Sequence, residues 1–276
     1  MIRVCVLIEN TADNGFLCEH GLSFWIETNH KKILLDAGSS NAYMENAERM
    51  GIDLNEADYC ILSHAHYDHS TGFVSYLKQN PDKKLYASKG INAEYYSYSN
   101  DCLHEIGVPN ELKQYKNTEY IEHLTQLDQG IFLFPHPNDY SEVAKRARLY
   151  RKQENELVLD DFSHEMSLVL ETQAGLVVFN SCCHVGIENL LKEIQEQFNQ
   201  PVFAFFGGLH LKGRKNNQPI CIYSNQEMIE LCHKIDGYGL KKLYTGHCTG
   251  EIAMQSLEKN LKADLIQLHS GLIINL

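Results

Sequence analysis

The chain has 276 residues, 43% of them hydrophobic and 22% charged, enough to bury a large core in one domain or two small ones. Lys and Arg number 24 against 36 Asp and Glu, a formal net charge of −12. That balance argues against a nucleic-acid or anionic-membrane binder, which needs clustered cations, but not against a small anionic substrate that feels only its local site.

Residues 2–9 read as a first strand, too short and too interrupted by Arg3 to be a secretory signal. No apolar stretch approaches membrane-spanning length. The nine cysteines contain no C-x-x-C pair, and several, such as Cys5 and Cys60, lie in strand-like runs. Reduced core thiols in a cytoplasmic protein are the expectation. Asp13-Asn14-Gly15 signals a turn. Residues 22–28 and 32–35 suggest a hairpin turning at Asn29-His30, and Asp36-Ala37-Gly38 ends its second arm. Residues 41–50 carry helical spacing (Tyr43, Met44, Ala47, Met50) and stop at Gly51. A strand over 57–62, a helix over 73–79 beginning past Gly72, and a short strand over 84–87 follow.

Residues 90–165 change character and are expected to form an inserted cap, because their own core would be too thin for a domain. Tyr95, Tyr96 and Tyr98 suit either a flat heteroaromatic ligand or plain cap packing. Residues 131–134 are a short apolar run, and residues 141–156 are charged with helical tendency. On one helix Lys145, Arg148 and Lys152 would share a face, to steer an anion or simply to be solvated. The second half alternates. Strands are expected at 166–171, 175–179, 202–206, 242–244, 265–268 and 272–274, and helices at 187–198, 226–234 and 251–260. The alternation indicates an α/β protein of layered sheet and helix.

The densest chemistry is Ser63-His64-Ala65-His66-Tyr67-Asp68-His69, directly after the apolar run Tyr59-Cys60-Ile61-Leu62. A loop leaving a strand can turn imidazoles and a carboxylate toward one point, and these donors suit zinc, iron and related ions. Four donors so close do not easily serve one tetrahedral ion. Two metals, or one metal and a catalytic acid, are the readings, against a solvated polar loop. His184 and His247 likewise follow apolar strands, at 176–179 and 243–244. His210 follows Gly207-Gly208, whose backbone would allow close approach to a ligand. It is the candidate for substrate contact or proton transfer, with an ordinary core or surface histidine as the alternative. Asp68 is a candidate for orienting the nucleophile, and Thr249 for capping the helix over 251–260.

The H-x-H-x-D-H cluster resembles the signature of the metallo-β-lactamase-fold superfamily. Glu19-His20-Gly21-Leu22-Ser23, Ile33-Leu34-Leu35-Asp36-Ala37-Gly38, Cys182-Cys183-His184-Val185-Gly186-Ile187, Gly207-Gly208-Leu209-His210-Leu211 and Gly246-His247-Cys248-Thr249-Gly250 stand around it. Their order resembles the 7,8-dihydropterin-6-methyl-4-(β-D-ribofuranosyl)-aminobenzene-5'-phosphate synthase-like branch, over most of the chain except about 90–160. The resemblance implies a four-layer αββα sandwich over 1–276 as a single domain, with the cap at about 90–165. It implies two divalent ions, one held by His64, His66 and His184, the other by Asp68, His69 and His247, with Asp36 behind the metal loop. Zinc is the first choice, with manganese or iron as alternatives. Many members bridge both ions with an aspartate after the strand corresponding to 176–179. Here Cys182, Cys183 and His184 occupy that stretch, so a Cys182 thiolate replaces the bridge or the two ions differ in affinity. His164, where other branches place a ligand, ranks behind His184.

The function expected is a metal-dependent hydrolase using a metal-activated water on a small anionic substrate, phosphorylated or pterin-like. A condensing enzyme of the synthase-like branch and a non-catalytic metal-binding protein are the alternatives. No nucleic acid or membrane partner is expected, and the oligomeric state is not legible.

Overall fold

The strand Arg3–Ile8 shows no alternation: five of its six residues are buried, as expected of an apolar run in the interior of a sheet. The computed structural model describes the whole chain except Asn29, Asn100, Asp101, Pro137 and Asn217. The chain divides into two compact units. The first is Met1–Glu94 with Ile106–Glu122 and Leu268–Leu276; the second is Tyr95–Glu105 with His123–Gln267.

The first unit is built on a sheet of seven strands, in spatial order Ile273–Asn275, Arg3–Ile8, Ser23–Glu27, Lys32–Leu35, Tyr59–Ile61, Leu85–Ala87 and Thr118–Tyr120. Its α-helices among the described residues are Ala42–Arg49, Tyr67–Gln79 and the single turn Asn110–Lys113. Lys32–Leu35 and Tyr59–Ile61 are parallel neighbours with Leu35 opposite Ile61, so Asp36 and Ser63 leave the sheet at the same end. The expected turn at Asn29-His30 falls partly on Asn29, outside the described residues.

The second unit has its own sheet of seven strands, ordered Asp264–Gln267, Lys242–Thr245, Val202–Phe206, Gly175–Phe179, Met166–Thr172, Ile131–Pro135 and Thr125–Asp128. Gly175–Phe179, Val202–Phe206 and Lys242–Thr245 run parallel, which delivers the loops after Phe179, Phe206 and Thr245 to one edge. The helices Ile187–Phe198 and Asn225–Gly237 join these strands, and Glu251–Asn260 leads on to Asp264–Gln267. No helix among the described residues is long and apolar enough to cross a membrane, and the cysteines form no disulfide there.

Three local expectations need correction. The helix after the metal loop starts at Tyr67, not past Gly72, so Asp68 and His69 lie on its first turn. Gly72 is not a helix breaker. A Cβ there would stand 2.0 Å from the Ala37 carbonyl, so glycine is needed for close packing. Next, residues 141–156 are not one helix. Ser141–Ala147 is helical, Arg148 turns left-handed (φ 55), and Leu149–Gln153 pairs with Glu156–Leu159. Glu154, also left-handed, begins the two-residue turn between those strands. Lys145, Arg148 and Lys152 therefore share no helical face, and Arg148 lies over the Tyr98 ring. Arg146 and Arg151 pair with Glu227 and Asp161. Finally, residues 90–165 do not form one cap. Thr118–Tyr120 belongs to the first sheet, and Thr125–Asp128 and Ile131–Pro135 to the second. Among the described residues of this stretch, Tyr95–Ser99, Cys102–Glu105, Leu149–Gln153 and Glu156–Leu159 make a separate sheet, in the second unit. Apolar register explains the division: Ile131, Leu133 and Phe134 are buried and pair along Met166–Thr172.

Candidate metal centre

In the first unit Leu62-Ser63 leaves the strand Tyr59–Ile61, and His66 stays extended (φ −110, ψ 147) before the helix begins. This brings the His64 ring to 4.7 Å from that of His66 and 4.2 Å from that of His69, centre to centre. One buried carboxylate organises them. Asp36, left-handed at φ 59, accepts the Ser63 N–H at 2.8 Å and the Ser63 hydroxyl at 2.7 Å. It also takes the His69 Nδ1 at 2.8 Å, while the Ser63 hydroxyl meets His64 Nδ1 at 2.8 Å. A ring nitrogen held from behind by a carboxylate or hydroxyl turns Nε2 toward the metal, the usual outer-sphere arrangement of ligating histidines. The Asp68 carboxylate lies 3.3 Å from His20 Nε2 and 3.8 Å from His69 Nε2. Asp36 thus stands behind the loop, bonded to Ser63 and His69.

In the second unit the strand Gly175–Phe179 leads into Asn180–His184. Glu165, buried just before Met166–Thr172, was not singled out from the sequence. It meets His184 Nδ1 at 2.5 Å and accepts the His184 N–H at 3.0 Å. Asn180 holds Glu165 in turn, donating to Oε1 at 3.1 Å, and accepts the Cys183 N–H at 2.6 Å. The His184 ring stacks on Phe162 at 5.0 Å. Burial, and then the neighbouring His210, push the His184 imidazole well below its ordinary pKa. It is therefore neutral, the form that coordinates. The signal for Glu165 was a charged pair, His164-Glu165, opening an apolar strand. His164 itself meets Asp160 at 3.0 Å, and Tyr95 packs on it edge-on at 4.3 Å. That Tyr95 is a packing residue realises the plainer of its two readings.

His210 and His247 sit at loop positions with left-handed backbone, φ 49 at each, and Cys183 does so at φ 48. Non-glycine residues held this way cluster at functional sites. The His210 N–H lies 3.3 Å from the Cys248 sulfur, and its ring is 4.4 Å from that of His184. For the Cys248 thiol burial acts upward, but hydrogen bonds with Cys182 and His210 outweigh it and hold the thiol well below the ordinary range. Thr249 does not cap the following helix, whose cap is Gly250 without a side-chain bond. Its hydroxyl accepts the Leu209 N–H at 3.0 Å and meets Thr245 at 2.6 Å, tying two strand-end loops together. Gly207 and Gly208 serve packing more than a ligand. A Cβ on Gly207 would be 1.9 Å from the Asn180 carbonyl, and one on Gly208 2.3 Å from the Cys248 sulfur. Within this unit the ligand atoms of Cys182, His184 and His210 all lie within 4.8 Å of one another, as do those of Cys182, His247 and Cys248. His210, expected to serve the substrate, therefore stands among potential ligands. The donor chemistry of both units, neutral imidazole, carboxylate and thiol, fits divalent transition metals.

The family model described as the metallo-beta-lactamase superfamily matches residues 18–171. The chain is 28% identical to the 7,8-dihydropterin-6-methyl-4-(beta-D-ribofuranosyl)-aminobenzene-5'-phosphate synthase of Methanocaldococcus jannaschii, over 99% of this chain and 96% of that one. An uncharacterized protein of the same organism is 27% identical, over 98% and 99%. Among solved structures, a metal-dependent hydrolase of the β-lactamase superfamily superposes with a TM-score of 0.85 at 29% identity, covering 100% of this chain and 99% of that one. A diphosphatase of the PhnP family, 13% identical with a TM-score of 0.55 over 100% and 98%, shares the fold. The expected metallo-β-lactamase fold is therefore observed.

Proposed function

Because the chain belongs to the metallo-β-lactamase superfamily, we propose that it is a metal-dependent hydrolase of a small anionic substrate, with His64, His66, Asp68, His69, His184 and His247 as ligands of two divalent ions. The observation that carries this reading is the bracing of the imidazoles. Ser63, Asp36 and Glu165 grip the Nδ1 atoms of His64, His69 and His184, so the rings are set before any ion arrives. A bound divalent ion lowers the pKa of water toward about 7 and polarises a carbonyl or phosphoryl oxygen. The chain's residues supply the rest. Asp36 holds two rings through one carboxylate, Glu165 keeps His184 oriented, and Asp68 orients the attacking water. The cytoplasm is the proposed compartment, on the reading of the cysteines as thiols.

A second reading keeps the metals and changes the reaction to a condensation on a pterin-like phosphate. It is favoured by the 28% identity to the named synthase over nearly the full length of both chains. Elemental analysis of reconstituted protein, followed by turnover on simple esters and phosphodiesters, tests the first reading. Close to two ions per chain and measurable hydrolysis are expected. Two ions without hydrolysis, but with a pterin phosphate bound, would favour the synthase. No ion after reconstitution would sink both.

A further inference from the structure

The second unit carries one thiol common to two donor groups. Cys182 is grouped with His184 and His210, and again with His247 and Cys248, each set of ligand atoms lying within 4.8 Å. Two ligand atoms on one ion, with bonds of about 2.0–2.3 Å, stand about 3–4 Å apart, so small side-chain rotations would close either group on an ion. Each group contains one of the histidines already proposed as ligands, His184 or His247, and adds a donor outside the six ligands proposed above, His210 or Cys248. The His210 Nδ1 is buried and has no hydrogen-bond partner among the described residues, which a bond to metal would satisfy. The Cys248 sulfur is seated against Gly208, where any larger residue would collide with it.

The plain alternative is that these are core thiols, as buried cysteines usually are. Cys183 shows what such a residue looks like here. It is buried and belongs to neither group.

We infer that Cys182 supplies a thiolate shared by the two ions, with His184 and His210 beside it on one and His247 and Cys248 on the other. The inference rests on the metal-dependent reading above. On binding, each coordinating thiol gives its proton to solvent and no redox change occurs. Thiolate donors choose the metal class: zinc or another thiophilic divalent ion, in preference to manganese or magnesium.

Cobalt(II) reports sulfur ligation by a sulfur-to-metal charge-transfer absorption, independent of turnover. The full chain is stripped of metal, kept reduced and anaerobic, and titrated with cobalt(II). A charge-transfer band is expected in the wild type. In Cys182→Ser three sulfur–cobalt bonds become one, so the band per chain should fall about threefold, with the circular dichroism unchanged. Cys248→Ser should lose about one third of it. Cys183→Ser should keep it in full. Cobalt bound by the wild type without the band, or a full band in Cys182→Ser, would overturn the inference while leaving the metal-enzyme reading intact. A band lost in Cys183→Ser alone would reassign the thiolate and overturn it as well. No cobalt bound at all would overturn both readings, and the wild-type titration decides this even if a variant does not fold.

Discussion

The two units present donors in opposite ways. The first unit packs His64, His66, Asp68 and His69 into one strand-to-helix passage and steadies two of the rings from a single carboxylate, Asp36. The second gathers Cys182, His184, His210, His247 and Cys248 from three loops, and steadies them separately through Glu165, Asn180 and Thr249. The contrast shows two routes to one chemical end. Close spacing along the chain needs one anchor. Dispersed donors need parallel strands to converge them and several anchors to hold them.

The sharpest way to break this comparison is to remove one ligand from each unit. His66→Ala and His247→Ala should each lower metal content and cut turnover by more than about 100-fold, with circular dichroism unchanged. Elemental analysis and steady-state kinetics would show this. Full metal content in either variant would mean that its unit is not part of the centre.

The anchors come next. Asp36→Asn and Glu165→Gln should each weaken metal affinity by about 10–100-fold. Asp36→Asn should cost more, because that carboxylate supports His69 directly and His64 through Ser63. Competition with a chromophoric chelator measures both, and the reverse ranking would refute the single-anchor account of the first unit.

A smaller effect lies in the packing glycines. Gly72→Ala places a Cβ 2.0 Å from the Ala37 backbone, and Gly208→Ala places one 2.3 Å from the Cys248 sulfur. Overpacking costs about 1–3 kcal/mol, and backbone yields less readily than a side chain, so Gly72→Ala should be the more destabilised in urea denaturation. Equal midpoints for Gly72→Ala and wild type would contradict the close approach of that helix to the Ala37 loop.

The smallest effect concerns acid. Burial pushes the Glu193 carboxyl up, but hydrogen bonds from His136 and Tyr140 outweigh it and hold it below the ordinary range. A folded-state pKa below the unfolded one means the unfolded chain binds the proton first. This contribution is then present above about pH 4.5 and is lost as pH falls through the folded value. Partial exposure and solvent screening limit it to about 1 kcal/mol or less. Thermal melts of metal-free wild type and Glu193→Gln should therefore converge as pH is lowered from 6 toward 3. A constant gap would exclude the linkage.

Much of this molecule is written locally. The helices over 187–198 and 251–260 and the strands at 175–179 and 202–206 were legible to the residue, because each is a continuous apolar or 3.6-period run. The first unit's donor cluster is legible because it is local: six consecutive positions, His64 to His69, carry it. Local habit misleads where a tertiary contact decides. Gly72 looked like a break and is a contact. The charged run 141–156 looked helical, but Arg148 reverses the backbone and two strands follow. Thr249 looked like a helix cap and is a brace between loops.

What the amino-acid sequence determined by itself was the inventory: which donors exist, that they follow apolar strands, and that one cluster has metal-ligand spacing. Those properties depend on neighbours a few residues away, and the side-chain periods of helix and strand express them directly. Only the tertiary structure decided which carboxylate serves which imidazole and which thiols meet. Asp36 reaches His69 across 33 positions and Glu165 reaches His184 across 19, separations set by sheet register rather than by any local period. Cys182 and Cys248, 66 positions apart, come together because parallel strands deliver their loops to one edge of the second unit's sheet.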